Sequence, residues 1–425
     1  MGFLMKTRIL KNSGIAWIGE IPKHWEVKKA KYLFKNKKEI VGTRAEFTDR
    51  LALTLNGVVK RSKDDNEGLQ PKKFESYQTL RKNNLVFKLI DLENISTSRV
   101  GISNFDLGIV SPAYIVLQRK ENNKFFYYFF MSMYYGCVFN FLGGQGVRSS
   151  LNVSDLLNLY LPVPPLNEQE RIAEFLDKKC ASIDSSIENL EQKIKSLAEY
   201  KKALITQCVT KGLNPKILEF KDSEIPWIGQ IPKHWEVRPL YYFFKERKNK
   251  NLLGKEKNLL SLSYGKIIRK DIETKYGLLP ENFNAYNIIE KDDIVFRFTD
   301  LQNDKVSLRT GLVCEKGIIT SAYITITPKR NICVSFYHYL LHCYDLMKVF
   351  YNFGNGVRQG LTYKELSKMK ILVPPLNEQK EIAEFLDNKC EKIDRLNENY
   401  TKQIATLKEY KKSLIYECVT GKKEI

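Results

Sequence analysis

The chain repeats itself. Ser13 to Val27 (SGIAWIGEIPKHWEV) returns as Ser223 to Val237 (SEIPWIGQIPKHWEV), identical at 12 of 15 positions and displaced by 210 residues. Val163 to Asp177 (VPPLNEQERIAEFLD) returns as Val373 to Asp387 (VPPLNEQKEIAEFLD), and Glu199 to Thr210 as Glu409 to Thr420, at the same displacement. A fixed period over three separate segments means one structural unit written twice, about residues 1–212 and 213–425. Between the matching ends the copies share only a skeleton: Leu85-Val86-Phe87 against Ile294-Val295-Phe296, Asp91-Leu92 against Asp300-Leu301, and Ala113-Tyr114-Ile115 against Ala322-Tyr323-Ile324. A duplicated frame around different contents suggests two similar sites reading two different things, rather than one active site shared between halves.

At 425 residues two or more domains are expected, each with its own interior. The chain is 43% hydrophobic and 12% aromatic, with no apolar run approaching a membrane span. Met1 to Leu10 lacks the apolar core of an export signal, so a cytoplasmic location is expected. Eight cysteines form no Cys-x-x-Cys pair, which argues against a zinc knuckle or a secreted disulfide framework. The net charge of +20 favours a polyanionic partner, nucleic acid ahead of an acidic membrane surface.

After Pro164-Pro165 the pattern becomes helical, with Asn167 a candidate N-cap and Glu170 completing a capping box; the second copy has Asn377 but Lys380 at the box position. A heptad stripe follows through Leu176, Cys180, Ile183, Ile187, Leu190, Ile194, Leu197, Lys201, Leu204 and Cys208. Its counterpart runs through Leu386, Cys390, Ile393, Asn397, Tyr400, Ile404, Leu407, Lys411, Leu414 and Cys418. Helices of about 40 residues would be roughly 60 Å long and need a partner, most naturally each other. Lys201, Lys411 and Asn397 on the seam would cost stability while restricting register. The short connection from Thr210 to Glu224, with Gly212 and Pro215, makes the pair antiparallel and sets the variable regions at opposite ends about an approximate two-fold axis. Cys180, Cys208, Cys390 and Cys418 could then approach one another across the seam.

In the variable regions, Leu51 to Val59 and Leu259 to Ile268 are short apolar runs interrupted by Gly57 and Gly265. Asp106 to Leu117 and Lys316 to Thr327 read as hairpins, while Lys124 to Phe141 and Val334 to Phe350 are helix-compatible. Each variable region is therefore expected to mix helix and strand.

WIGEIPKHWEV opening a unit, a Gly-x-Gly-Val-Arg turn, and VPPLNEQ leading into a long helix, all present twice, resemble the specificity subunits of type I restriction-modification enzymes. The resemblance spans nearly the whole chain. It implies an α+β protein with two α/β-mixed target recognition domains joined by two long helices in an antiparallel coiled coil, a pseudo-two-fold tandem repeat. The expected divisions are recognition domains at 1–165 and 213–375, with spacer helices at 166–212 and 376–425. Each domain, one centred near residue 80 and one near 290, would read one half of a bipartite, asymmetric double-stranded DNA target. The resemblance also implies two modification subunits that methylate adenine and restriction subunits that translocate and cut. This chain would be non-catalytic and carry no cofactor, while its partners use S-adenosylmethionine, ATP and Mg2+. A coiled-coil assembly scaffold without sequence-specific DNA binding is the alternative.

Eight residues are candidates for DNA contact. Gln145 and Arg148 lie in one Gly-Val-Arg turn and Asn355 and Arg358 in the other; Arg grips phosphate or reads guanine, although such an Arg also pairs with a local carboxylate. Lys60, Arg61, Arg269 and Lys270 follow the glycine-marked strands, which suits a loop entering a groove or a merely solvated one. All four tryptophans, Trp17, Trp25, Trp227 and Trp235, lie in the repeated openings, so packing accounts for them better than base stacking, with a partner-docking surface also open. Ser111-Pro112-Ala113-Tyr114 departs from the Pro-Pro-aromatic loop of adenine methyltransferases and is read as strand. His338 and His342 stand one helical turn apart without a zinc-protease Glu or an equivalent pair in the first copy.

Overall fold

The computed structural model describes residues 9–65, 74–92, 99–142, 150–272, 283–299, 308–352 and 360–425. The chain divides into two compact units that cut across the repeat boundaries: residues 1–190 with 401–425, and residues 191–400. Each unit therefore holds one variable region and one segment from each of two long helices, Leu166–Lys211 and Leu376–Val419.

The first unit is a set of small antiparallel layers. Ile115–Leu117, Leu85–Phe87 and Val100–Ile102 form a three-stranded sheet in that order. Leu85, Val86 and Phe87 are all buried, as expected of a central strand covered on both faces. Gln78–Arg81 pairs with Leu107–Val110, and Leu51–Thr54 with Gly57–Lys60 as a two-residue hairpin. The helix Lys124–Tyr135 closes the body with Phe125, Phe126, Phe129 and Phe130, all buried and in contact with one another or with Phe34 and Phe87.

The second unit repeats this organisation around its own core. Phe244–Glu246, Ile324–Pro328, Ile294–Phe296 and Thr310–Leu312 form a four-stranded sheet. Asn287–Ile289 pairs with Gly317–Ile319, Leu260–Ser263 with Lys266–Arg269, and the helix Val334–Leu346 packs Phe336, Tyr337, Leu340 and Leu341 inward.

Two sequence expectations change. Asp106 to Leu117 is not a hairpin: its two strands pair with different partners, Leu107–Val110 with Gln78–Arg81 and Ile115–Leu117 with Leu85–Phe87. Ser111 to Tyr114 is the turn between them, closed by the Tyr114 amide on the Ser111 carbonyl at 3.1 Å, and Lys316 to Thr327 divides in the same way. Apolar side chains on both faces allow each short strand its own sheet, an outcome that alternation alone does not distinguish from a hairpin.

The long helices begin at Leu166 and Leu376, two residues earlier than a cap at Asn167 or Asn377 requires. Instead the Gln169 side-chain amide donates to the Pro164 carbonyl and that of Gln379 to Pro374, both at 2.8 Å, while Glu170 stays exposed. Past these ends, every stripe position named above is buried or half-buried. The helical segments run antiparallel within each unit: in the first, Asp184 meets Lys411 and Cys180 lies close enough to Cys418 to perturb it; in the second, Lys201 meets Asp394 and Cys390 lies close enough to Cys208 to perturb it.

Candidate nucleic-acid interface

The repeated motifs build the frame. In the first unit a single carboxylate, Glu168, holds His24 Nε2 at 2.7 Å and accepts from the indole Nε1 of buried Trp25 at 2.8 Å. Glu378 does the same in the second, with His234 at 2.6 Å and Trp235 at 2.8 Å. The His-Trp of the opening and the Glu of Leu-Asn-Glu-Gln are thus two ends of one clip, which pins the helix start to the body. Asp177 accepts from the Tyr128 hydroxyl at 2.8 Å and Asp387 from Tyr339 at 2.7 Å, a second clip one helical segment later. Trp17 packs on Phe129, and Trp227 edge-on against Tyr344. All four tryptophans are accounted for by packing of the frame.

Four of the eight candidate residues lie among the described residues, at the outgoing ends of the two equivalent hairpins. Lys60 sits 2.6 Å from Asp49 and Arg61 Nε 2.5 Å from Asp65. Arg269 holds Glu315 through Nε at 2.7 Å and through Nη2, and that guanidinium lowers the Glu315 carboxyl below its usual range. Lys270 is exposed, with no side-chain ion pair among the described residues. The structure therefore brings Lys60 and Arg61 together in one unit and Arg269 and Lys270 in the other, three of them already paired with carboxylates. Gln145, Arg148, Asn355 and Arg358 lie outside the described residues.

The hairpins carry features that sequence reading passed over. Their tips present large apolar side chains to solvent, Leu55 at 63% exposure and Tyr264 at 79%. Their seats are glycines: a Cβ at Gly101 would come within 2.6 Å of Leu53, and one at Gly311 within 2.6 Å of Leu262. Two residues before each seat stands a buried arginine. Arg99 donates to the carbonyls of Ile90 (3.2 Å) and Asp91 (2.9 Å), and Arg309 to those of Arg297 (3.4 Å) and Thr299 (2.9 Å). Burial lowers the Arg99 pKa below the usual arginine value. A guanidinium buried on main-chain carbonyls fixes the turn that follows the central strand. The Arg-x-Gly pair recurs at a displacement of 210, so the period was present to be found inside the divergent region.

His338 and His342 have ring centroids 6.1 Å apart on one helix, beside Lys201. Among the described residues no group of three or more His, Cys, Asp or Glu side chains is arranged to hold a metal ion.

Such a pair of like units, each with a frame clip and a projecting hairpin, defines a tandem recognition protein. The chain matches the type I restriction modification DNA specificity domain twice, over residues 22–197 and 232–406, and belongs to that family of specificity subunits. It is similar to the putative type I restriction enzyme MjaX specificity subunit of Methanocaldococcus jannaschii, 28% identical over 295 residues, 67% of this chain and 64% of the relative. The MjaVIII specificity subunit of the same organism is 27% identical over 282 residues, 62% of each chain. The match thus spans a little under two thirds of these relatives' lengths. A chain from a solved type I R-M system covers 94% of this one, with a TM-score of 0.62 and 14% identity, a likeness of fold. Among the described residues no helix is long and apolar enough to cross a membrane.

Proposed function

We propose that this chain is the targeting subunit of a type I restriction-modification complex, with each unit reading one half of a bipartite, asymmetric DNA site. The observation that carries the reading is the contrast inside the repeat. The indole-to-carboxylate bonds match at 2.8 Å in both units, while the hairpin tips differ, Leu55-Asn56 against Tyr264-Gly265. A constant frame with changed contacts is what two half-sites of different sequence require. In this reading the chain is cytoplasmic and performs no chemistry. Two modification subunits transfer the methyl group of S-adenosylmethionine to adenine, and restriction subunits use ATP and Mg2+ to translocate and cut.

The test is filter binding of the chain, assembled with modification subunits, to a target duplex and to random duplexes across a salt series. Preference for the target, with affinity falling steeply as salt rises, is expected because phosphate contacts release counterions. Equal binding to every duplex would overturn the reading.

A further inference from the structure

We infer that Leu55 and Tyr264, the outer residues of the two hairpin tips, are base-contacting residues that set specificity, one for each half-site. The inference rests on the reading above and goes further by naming the atoms that touch DNA.

Three observations carry it. First, the two side chains occupy the same place: Thr54 pairs with Gly57 and Ser263 with Lys266, so Leu55 and Tyr264 each open a two-residue loop. A single exposed apolar residue means little, but the same hairpin tip exposing a large one in both copies is a repeated choice. Second, Tyr264 adopts φ +45 and Gly265 φ +78, the left-handed pair of a tight hairpin turn. That geometry favours Asn or Asp before Gly, and a bulky aromatic there is a backbone outlier, retained against local preference. Third, the hairpins are closely packed on glycine seats. Leu53 and Val58 close over Gly101, and Leu262 and Ile267 over Gly311, at distances that leave no room for a methyl group. Close packing at the base of each hairpin gives its tip a defined position, which a base contact needs and a solvated loop does not.

The chemistry of the tips suits the apolar features of DNA: the thymine methyl group in the major groove, or an exposed base step against which a side chain wedges. Lys60 and Arg61 behind one tip, and Arg269 and Lys270 behind the other, then lie where the flanking phosphates pass. Carboxylate pairing of Lys60, Arg61 and Arg269 tempers their pull on phosphate and leaves discrimination to the tips. Leucine in one unit and tyrosine in the other correspond to two half-sites of different sequence.

The experiment uses the chain assembled with its modification subunits and two variants, Leu55→Ser and Tyr264→Asn. Asn tolerates the left-handed conformation, so the second variant removes the ring while keeping the turn. Binding is measured to the target duplex, to duplexes altered in one half-site or the other, and to a random duplex. Each variant is expected to lose about 10-fold or more in affinity for the target, the scale of one lost base contact, with random-duplex binding within about 2-fold. Altering one half-site should then cost the Tyr264→Asn complex less than the parent, and altering the other should cost Leu55→Ser less. An unchanged ratio of target to random binding, in complexes that assemble and melt like the parent, would overturn the inference. So would loss of modification-subunit binding, which would mark the tips as a protein-docking surface. If the parent itself shows no target preference, the broader reading has failed; if it does and the variants keep it, only this inference has.

Discussion

Across the helical seam of the first unit, the Lys411 ammonium stands 2.6 Å from the Asp184 carboxylate, and Lys201 and Asp394 repeat the pair at 2.6 Å in the second. Lysine on an apolar seam is a cost only while its charge lacks a partner, and here the partner stands on the facing helix, 227 residues away in the first unit and 193 in the second. With Lys411 at 21% exposure and Asp184 at 57%, solvent screens much of the attraction. A double-mutant cycle on Asp184→Ala and Lys411→Ala should give a coupling of roughly 0.5–1 kcal/mol by thermal unfolding. Lys411→Leu should leave stability equal or higher, because it joins Leu407 and Leu414 into one apolar run on the stripe.

The clip at the start of each long helix should matter more. Glu378→Ala leaves the Trp235 indole N–H buried without its acceptor, a loss of about 1–3 kcal/mol in denaturant unfolding. Glu378→Gln, which keeps one acceptor oxygen, should lose less, and Trp235→Ala about 3–5 kcal/mol. Glu168 and Trp25 should behave alike in the first unit.

Acid should loosen the second unit first. Burial lowers His338 from 6.5 to about 3, and burial together with Lys201 lowers His342 to about 4. Groups whose folded pKa is depressed contribute stability that is complete above the unfolded value, so this part of the second unit's stability falls as pH drops from 6.5 toward 4 and 3. Asp345, which burial raises to about 6, and Asp293, which burial also raises, work in the opposite direction as pH falls and offset part of this loss. The first unit has Tyr127 and Met131 at the matching places, one residue before and three after the tyrosine that binds the clip aspartate. His338→Tyr with His342→Met should flatten the melting temperature of the second unit between pH 6.5 and 4; an unchanged slope would show the histidines take no part.

The seam cysteines should be inert. Burial pushes the thiols of Cys180 and Cys208 up to about 11 and that of Cys418 to about 12, and all eight cysteines are free. In the folded protein a thiol reagent at neutral pH should label exposed Cys137 and Cys314 and spare Cys180, Cys208, Cys390 and Cys418, which should react only on unfolding. Mass spectrometry without reductant should find the seam thiols unpaired.

Much of this is legible in the sequence alone. The period of 210 residues exposed the two-unit frame, and the heptad stripes named the buried seam residue by residue, because both are repeated apolar patterns that only one packing satisfies. The seam partners Asp184 and Asp394 are not legible in the sequence because an ion pair depends on which helix faces which, information that spacing along one helix lacks. A cap at Asn167 sets the helix start two residues late because the Pro165 carbonyl accepts from the Glu168 and Gln169 amides and closes the first turn earlier. The hairpin tips and their glycine seats were hidden in the divergent region, where only the Arg-x-Gly period marked them. Charge drew attention to Lys60, Arg61 and Arg269, but their neutralising partners, Asp49, Asp65 and Glu315, become visible only once the chain is folded.

The central claim is that the two units recognise DNA independently. The direct measurement exchanges residues 30–140 for those of a relative with a different target and maps methylated adenines across the host genome by single-molecule sequencing. The account predicts that one half of the bipartite site changes to the donor's sequence while the other half stays as it was; change in both halves, or in neither, would contradict it.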